Sequence, residues 1–234
     1  IDYVGADSYT HMLCNDKYLA KKYISDFGLN TPKGLLIRYS QGKSLNAIRL
    51  LKLPLVIKPN YGGGSNGISN KSLLYNYEEA EKWIIQLNKY QHMPILVEEY
   101  IPGYESEVVI FGNKNKIYFS EDIGIKINGI DYFDSQIWGY ESKKGGLHKN
   151  VLSKVDHISK KDLHKMQELF QSFDKAEIMR IDCRIYNGTT YILELSPDCY
   201  LGPTGGVAQA FAYNNIGYSK MFFYLIQNAL HKQN

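Results

Sequence analysis

Residues 53–69 read LPLVIKPNYGGGSNGIS, an apolar run that ends on a lysine and soon reaches three consecutive glycines. The run predicts a buried β-strand, and the glycines predict a loop. A strand that delivers Lys58 into a Gly-rich loop suits phosphate binding, because glycine lets backbone N–H groups approach an anion and lysine adds a positive charge. The lysine precedes the glycines, so the stretch is not a P-loop. Taken alone, it fits a flexible hairpin tip with a solvated lysine equally well.

The composition is that of an ordinary globular protein. Of 234 residues, 44% are hydrophobic and 22% charged, and the net charge of +3 is too small to argue for nucleic-acid binding. Cys14, Cys183 and Cys199 lack metal-ligand spacing, and their odd number argues against a disulfide framework, which favours a reducing, cytoplasmic setting. No apolar run approaches the ~20 residues of a membrane span, and no signal peptide is visible. Since the sequence opens at Ile1 without methionine, we expect a fragment or a trimmed chain.

Hydrophobic periodicity predicts a chain of mixed helices and strands. The expected helices cover residues 16–27, 44–51, 77–89 and 218–231, with another that begins at Ser159; the expected strands cover residues 35–38, 55–58, 66–69, 95–100, 107–111, 116–120, 123–127, 177–186 and 190–195. Residues 131–150 show little periodicity, and a loop of that length in a compact domain is typically a functional lid or a mobile segment.

Two short motifs late in the chain suit a metal–phosphate site. Alternate side chains of a strand share a face, so Arg180 points with Asp182, and Glu194 points with Ser196. Mg²⁺ binds carboxylate oxygens together with substrate phosphates. The two acids share a face only if the connection is a three-residue loop or the hairpin carries a bulge, because a plain two-residue turn places Asp182 opposite Leu193. A surface hairpin with a charged outer face is the alternative.

A possible nucleotide-base site lies at residues 97–105, VEEYIPGYE, an apolar strand that ends in acids and leads into a linker. Backbone N–H and C=O groups at such a point can bind a planar base edge, and a later acid, Glu105, can accept hydrogen bonds from ribose hydroxyls. A crossover between subdomains, with acids on its surface, is the alternative.

The order of these motifs resembles the ATP-grasp superfamily, and within it the D-alanine–D-alanine ligase branch. A helix lysine, Lys21, precedes the strand–lysine–glycine stretch, the acidic hinge and the Arg-Ile-Asp and Leu-Glu motifs, and the likeness covers nearly the whole chain. It implies an α+β, ATP-grasp fold in which two α+β subdomains clamp ATP between antiparallel sheets. The expected division is an opening segment and helix at 1–30, a small subdomain with a Gly-rich flap at 31–98, and a larger subdomain with the metal site and the lid at 99–234. Because the family's small N-terminal domain is not represented, a missing N-terminal domain or a partner subunit is expected.

The resemblance also implies roles for individual residues. Lys21 and Lys58 contact the nucleotide phosphates; Gly63, Gly64 and Ser65 belong to the flap; Glu98, Glu99 and Ile101 hold adenine, and Glu105 holds the ribose. Asp182, Glu194 and Ser196 bind Mg²⁺, and Arg180 and Lys58 are the implied catalytic residues.

Four positions depart from the family pattern. Ser196 replaces the asparagine of Glu-x-Asn, and since a neutral hydroxyl is a weak ligand, Asp198 is a candidate to supplement it. Gly64 replaces a flap serine, and the neighbourhood of Gly205 replaces a small polar residue that holds the second substrate's carboxylate. Trp138 stands where the mobile loop has a lysine, and Lys143 or Lys144 could substitute for that lysine. The resemblance therefore implies that ATP handling is preserved and that D-alanine recognition is not.

The implied function is an ATP-dependent carboxylate–amine ligase, acting on an amino acid or peptide through an acyl phosphate. The expected cofactors are ATP and Mg²⁺, and the expected partners are a small-molecule carboxylate and an amine, with no nucleic acid and no membrane. The alternative is a catalytically weak or inactive ATP-binding subunit or pseudoenzyme, which the departures at Ser196 and Gly64 favour.

Overall fold

The computed structural model describes residues 3–38, 45–63, 70–91, 93–135, 137 and 150–230. The helices are α1 (Ser8–Asn15), α2 (Lys17–Asp26), α3 (Tyr77–Gln91), α4 (Lys160–Gln171), α5 (Gly206–Tyr213) and α6 (Tyr218–Leu230), with 3-10 turns at Leu45–Leu50 and Asn70–Ser72. The strands are β1 (Gly34–Ile37), β2 (Leu55–Pro59), β3 (Leu73–Leu74), β4 (Ile95–Glu99), β5 (Gly103–Asn113), β6 (Lys116–Ile127), β7 (Tyr132–Phe133), β8 (Asn150–Lys154), β9 (Ile178–Tyr186) and β10 (Thr189–Ser196).

The smaller of two antiparallel sheets has the strand order β1-β4-β2-β3. One face is apolar and buries Ile57 and Val97 against Ile84 of α3. The other face of the two inner strands carries Lys58 and Glu98: Val56 pairs with Glu98, and Lys58 lies two residues further along β2. Lys58 and Glu98 therefore project from the same face of the sheet.

The larger antiparallel sheet has the order β10-β9-β5-β6-β8, and β7 pairs with β5. Alternate residues of β5 serve two cores, because successive side chains point to opposite faces. Val108 packs with α4 and α2 in the first core. Val109 packs with Phe211 of α5 and Met221 of α6 in the second. Among the described residues, no helix is long and apolar enough to cross a membrane.

One expected strand break was wrong. Residues 116–120 and 123–127 form a single strand, β6, although Glu121 and Asp122 lie between them. Both acids are buried and have partners: Glu121 binds Lys154 (Oε2–Nζ 2.6 Å), and Asp122 accepts backbone N–H bonds from residues 157 and 158 at 2.8 and 3.0 Å. The strand therefore continues, because acids that have such partners do not need to face water.

Other expectations were met in part. The predicted helix at 44–51 is a 3-10 turn where it is described, and helix α5 was not predicted. The predicted strand at 66–69 and most of the predicted lid, residues 138–149, lie outside the described residues. The helix that begins after Ser159 is confirmed, and the Ser159 side chain accepts the Asp162 N–H.

Candidate functional site

A bulge in β10 brings the two predicted metal-binding acids together. The connection is a two-residue turn, with Asn187 and Gly188 at φ 48° and 73°, rather than a three-residue loop. The register then shifts between Ile192 and Glu194, so that Glu194 pairs with Asp182. The expectation that the hairpin needs a bulge to place both acids on one face is confirmed.

Each of these acids already binds a cation from the chain. Asp182 accepts hydrogen bonds from Nε and Nη2 of Arg180 at 2.6 and 2.9 Å, and Glu194 lies 3.4 Å from Nζ of Lys17. Burial would lower the pKa of Arg180, but Asp182 and Glu107 outweigh it and raise that pKa. Ser196 pairs with Arg180 across the hairpin.

The acids fit Mg²⁺ rather than a metal held by protein ligands alone. In the part of the chain that the structure describes, no group of three or more His, Cys, Asp or Glu side chains is arranged to hold a metal. Mg²⁺ usually takes one or two carboxylates and completes its shell with substrate phosphates and waters. Asp182 and Glu194 lie directly opposite each other, and their carboxylates suit such a site.

Two predicted phosphate-binding lysines share one buried carboxylate. Lys21 and Lys58 lie 2.9 and 2.7 Å from the two oxygens of Glu98, and all three side chains are buried. Burial lowers the pKa of Lys21 to about 8, although Glu98 opposes the shift. Burial would raise the pKa of Glu98, but the two ammonium groups hold it below its usual value. Lys21 also donates to the carbonyl of Leu193, the bulge residue, at 3.0 Å.

Helix α2 brings a second lysine to the site that sequence analysis did not assign. Asp16 caps the helix and binds the Asn60 side chain at 2.8 Å, which holds the helix against the end of β2. Lys17, buried one turn before Lys21, binds both Glu194 and the carbonyl of Gly62. Its spacing of four residues from Lys21 is the signal that could have identified it, because residues i and i+4 share a helix face.

Of the predicted adenine and ribose residues, Ile101 and Glu105 are held by an arginine that was also missed, whereas Glu98 pairs with the two lysines. Arg184 donates twice to Glu105, at 2.8 and 2.6 Å, and once to the carbonyl of Ile101 at 3.1 Å. Glu99 accepts the N–H of Lys52 at 2.9 Å. The alternation of residues 180, 182 and 184 along β9 places Arg184 on the same face as the predicted site and was a usable signal.

A larger cavity, of about 1210 Å³, adjoins the nucleotide positions. It is lined by α1, by Gly62 and Gly63, and by residues 194–200 and 204–206. Glu194 also borders a smaller cavity, of about 110 Å³, which Lys58, Glu98 and Asp182 line. Two of the departures from the family pattern, Ser196 and Gly205, line the larger cavity, and so does Asp198, the candidate to supplement Ser196. Of the other predicted residues, Gly64, Ser65 and Trp138 lie outside the described residues.

Comparison with known proteins matches residues 24–227 to the family described as D-ala D-ala ligase C-terminus. The chain belongs to this family. D-alanine–D-alanine ligase A of Bacillus cereus is 22% identical over the whole chain and 74% of its own length, and D-alanine–D-alanine ligase B of Clostridium perfringens is 25% identical with the same coverage. The predicted family and the predicted class of enzyme, an ATP-dependent ligase that forms C–N bonds, are thereby confirmed.

Solved structures of family members share the fold. The D-alanine–D-alanine ligase of Bacillus anthracis complexed with ATP superposes with a TM-score of 0.74 at 20% identity, over 98% of this chain and 70% of that one. The VanG D-Ala:D-Ser ligase of Enterococcus faecalis gives a TM-score of 0.77 at 20% identity, over 97% and 65%. The α+β, ATP-grasp prediction of fold is confirmed.

Proposed function

We propose that this protein joins the carboxylate of an amino acid or peptide to an amine at the expense of ATP, with the residues described above in the roles that follow. The observation that carries the proposal is the convergence of charged groups from both sheets on one cavity. Lys58 and Glu98 reach it from the small sheet, and Asp182 and Glu194 reach it from the large one. Phosphoryl transfer needs positioned positive charge and metal-binding carboxylates, which this cavity provides.

The reaction takes place in two steps. A carboxylate oxygen of the acid accepts the terminal phosphoryl group of ATP, which gives an acyl phosphate and ADP. The amine nitrogen then attacks the acyl carbon. A C–N bond forms, the C–O bond to phosphate breaks with its electron pair on the phosphate, and the amine loses a proton. The protein contributes charge and positioning rather than a covalent intermediate.

The charged side chains are held in place for this task. Asp182 and Glu194 would hold Mg²⁺, which neutralises phosphate charge when bound. Lys21 and Lys58 would bind the phosphates. Because Glu98 holds both ammonium groups inside the cleft, they do not have to be drawn in from solvent when the phosphates arrive, and such preorganisation lowers the cost of charge stabilisation.

Arg180 and the hinge complete the proposed site. The Arg180 guanidinium donates two hydrogen bonds to Asp182, which fix its plane. It would stabilise charge that develops on the transferred group. Arg184 fixes Glu105 and the Ile101 carbonyl, which would receive the ribose and the adenine edge.

The test is ADP release by the purified protein with ATP, Mg²⁺ and pairs drawn from a panel of D- and L-amino acids and simple amines. We expect release that requires both an acid and an amine, with mixtures that lack either one as controls. Tight ATP binding without release for any pair would contradict the proposal and support the alternative of a nucleotide-binding subunit or pseudoenzyme.

A further inference from the structure

Glu107 of β5 is a buried acid in the large cavity that the proposed reaction does not use. It is 7% exposed, and it stands directly opposite Asp182 on the neighbouring strand. Its Oε1 lies 3.5 Å from Nε of Arg180. Its Oε2 occupies the space that a Cβ on Gly206 would fill. The absence of a side chain at 206 therefore makes room for the Glu107 carboxylate.

This carboxylate lies where an anionic ligand would otherwise be favoured. Gly206 is the first residue of α5, and its cap residue, Gly205, makes no side-chain capping bond. The N-terminus of a helix carries partial positive charge and attracts anions. Here the chain's own Glu107 lies against Gly206, so a substrate carboxylate would meet a negative charge at that position.

The remaining charges of the cavity also disfavour a carboxylate. Among its described lining residues, with histidine counted as neutral and Glu194 assigned to the metal, the acids are Glu107 and Asp198, and the only cation is Arg180. Arg180 is already bound twice by Asp182, at 2.6 and 2.9 Å. A binding site discriminates as much by placing like charge against the wrong ligand as by attracting the right one.

We propose that Glu107 makes the acceptor side of the cavity selective for an amine that carries no carboxylate of its own, a diamine in particular, over an amino acid. This rests on the proposed function, and it takes the large cavity beside the nucleotide positions as the place where the acceptor binds. One nitrogen of a diamine reacts, and the other, as an ammonium group, pairs with Glu107. The acid that becomes the acyl phosphate remains an amino acid or a peptide.

The direct test compares two ligands that differ only by a carboxylate, 1,5-diaminopentane and lysine. Their dissociation constants are measured by calorimetry in the presence of Mg²⁺ and a non-hydrolysable ATP analogue. We expect the diamine to bind at least about tenfold more tightly, the ratio expected from one charged contact. Equal binding, tighter binding of lysine, or no binding of either compound would overturn the proposal.

Two variants examine the residue itself. Glu107→Gln removes the charge, and Gly206→Ala displaces the carboxylate without removing it; each should lower the diamine preference by about tenfold. Asp174→Asn, which also removes one negative charge but from an exposed side chain paired with Lys114, should leave the preference unchanged. If Glu107→Gln raises the Mg²⁺ requirement and leaves the preference intact, Glu107 is a metal ligand and the proposal is overturned. Melting curves and binding of the ATP analogue establish that each variant is folded.

ADP release separates this inference from the proposed function. If the wild-type protein binds the ATP analogue but releases no ADP with any acid and either amine, the proposed function fails. If it releases ADP with lysine as well as with 1,5-diaminopentane, or better, the ligase assignment stands and the selectivity of Glu107 is refuted.

Discussion

The nucleotide side and the acceptor side of the cleft are built differently. On the nucleotide side, Lys21, Lys58 and Glu98 stand on a helix and two inner strands and are 6%, 8% and 2% exposed. The acceptor side is formed largely by the connection between β10 and α5, in which Asp198 is exposed and Tyr200 is 61% exposed. The buried charges are fixed by regular secondary structure, whereas the acceptor wall is a loop.

This difference has a chemical consequence. Among the described residues of the nucleotide side, Lys21 and Lys58 pair with Glu98. Asp182 pairs with Arg180. A triphosphate and a metal ion could take the place of these partners, so this side is suited to one ligand. The acceptor loop has few such constraints and departs from the family pattern at Ser196 and near Gly205. We infer that changes confined to this loop can alter acceptor choice and leave ATP use intact, because loops carry specificity on a scaffold that strands hold rigid.

The largest effect on activity is expected from Asp182→Asn, which removes one of the two proposed metal-binding carboxylates on the nucleotide side. The amide is a poorer Mg²⁺ ligand than a carboxylate and no longer neutralises Arg180, so ADP release should fall by at least about a hundredfold. The measurement is the initial rate of ADP release over a Mg²⁺ titration. Full activity, in protein that melts like the wild type, would remove Asp182 from the metal site.

A smaller effect, a loss of ATP affinity, is expected from Lys58→Ala. The substitution leaves Glu98 paired with Lys21, so the fold should persist, while affinity for ATP should fall by at least about tenfold because one buried charge contact to phosphate is lost. Calorimetry with ATP is the measurement. Lys52→Ala, in which the side chain is exposed, is the matched control and should bind ATP normally; an unchanged affinity in Lys58→Ala would exclude this lysine from the mechanism.

A pH titration isolates what the buried ammonium group of Lys21 contributes to ATP binding and to stability. Burial lowers the pKa of Lys21 to about 8 from 10.5, so the ammonium group is lost in the folded protein as pH rises through about 8. Affinity for ATP should then fall, by up to about tenfold per pH unit. Between the folded and unfolded pKa values the unfolded chain binds more protons, so the free energy of unfolding should rise with pH over the same window. Lys21→Met should lose both trends, and identical pH profiles in the two proteins would refute the assignment.

The residues of the nucleotide side could be predicted from the sequence because the motifs that mark them are short and local. The run that ends at Lys58 and the alternation of Arg180 with Asp182 can be recognised within a few residues. The bulge was stated as a condition, but the sequence could not choose it over a longer loop. It is stabilised from elsewhere in the chain, since Lys21 binds the Leu193 carbonyl and Asn30 accepts the Ile192 N–H.

The residues of the acceptor side could not be predicted from the sequence in the same way. Glu107 follows Glu105 on one strand face, which is a weak signal, but its neighbour Gly206 lies at the start of a helix far along the chain. Contacts of that kind arise only from tertiary packing. Arg184 differs in part. The alternation along β9 was a usable signal for its face, but its partners Glu105 and Ile101 come from a different strand and the hinge before it, so the pairing itself depends on tertiary packing.

The smallest effect on activity is expected from Ser196→Asn, which restores the asparagine of the family's Glu-x-Asn motif. Ser196 stands across the hairpin from Arg180 and two residues beyond Glu194 on the same face. An amide oxygen is a better ligand for a hard cation than a neutral hydroxyl, so the Mg²⁺ concentration for half-maximal ADP release should fall by about threefold. The dissociation constant of ATP measured without Mg²⁺ should stay unchanged, because no phosphate contact of the lysines is altered. A higher Mg²⁺ requirement would mean that the serine hydroxyl already serves the metal better than an amide can. An unchanged requirement would place residue 196 outside the metal shell. Asp182 and Glu194 would then be the only residues that we assign to that shell.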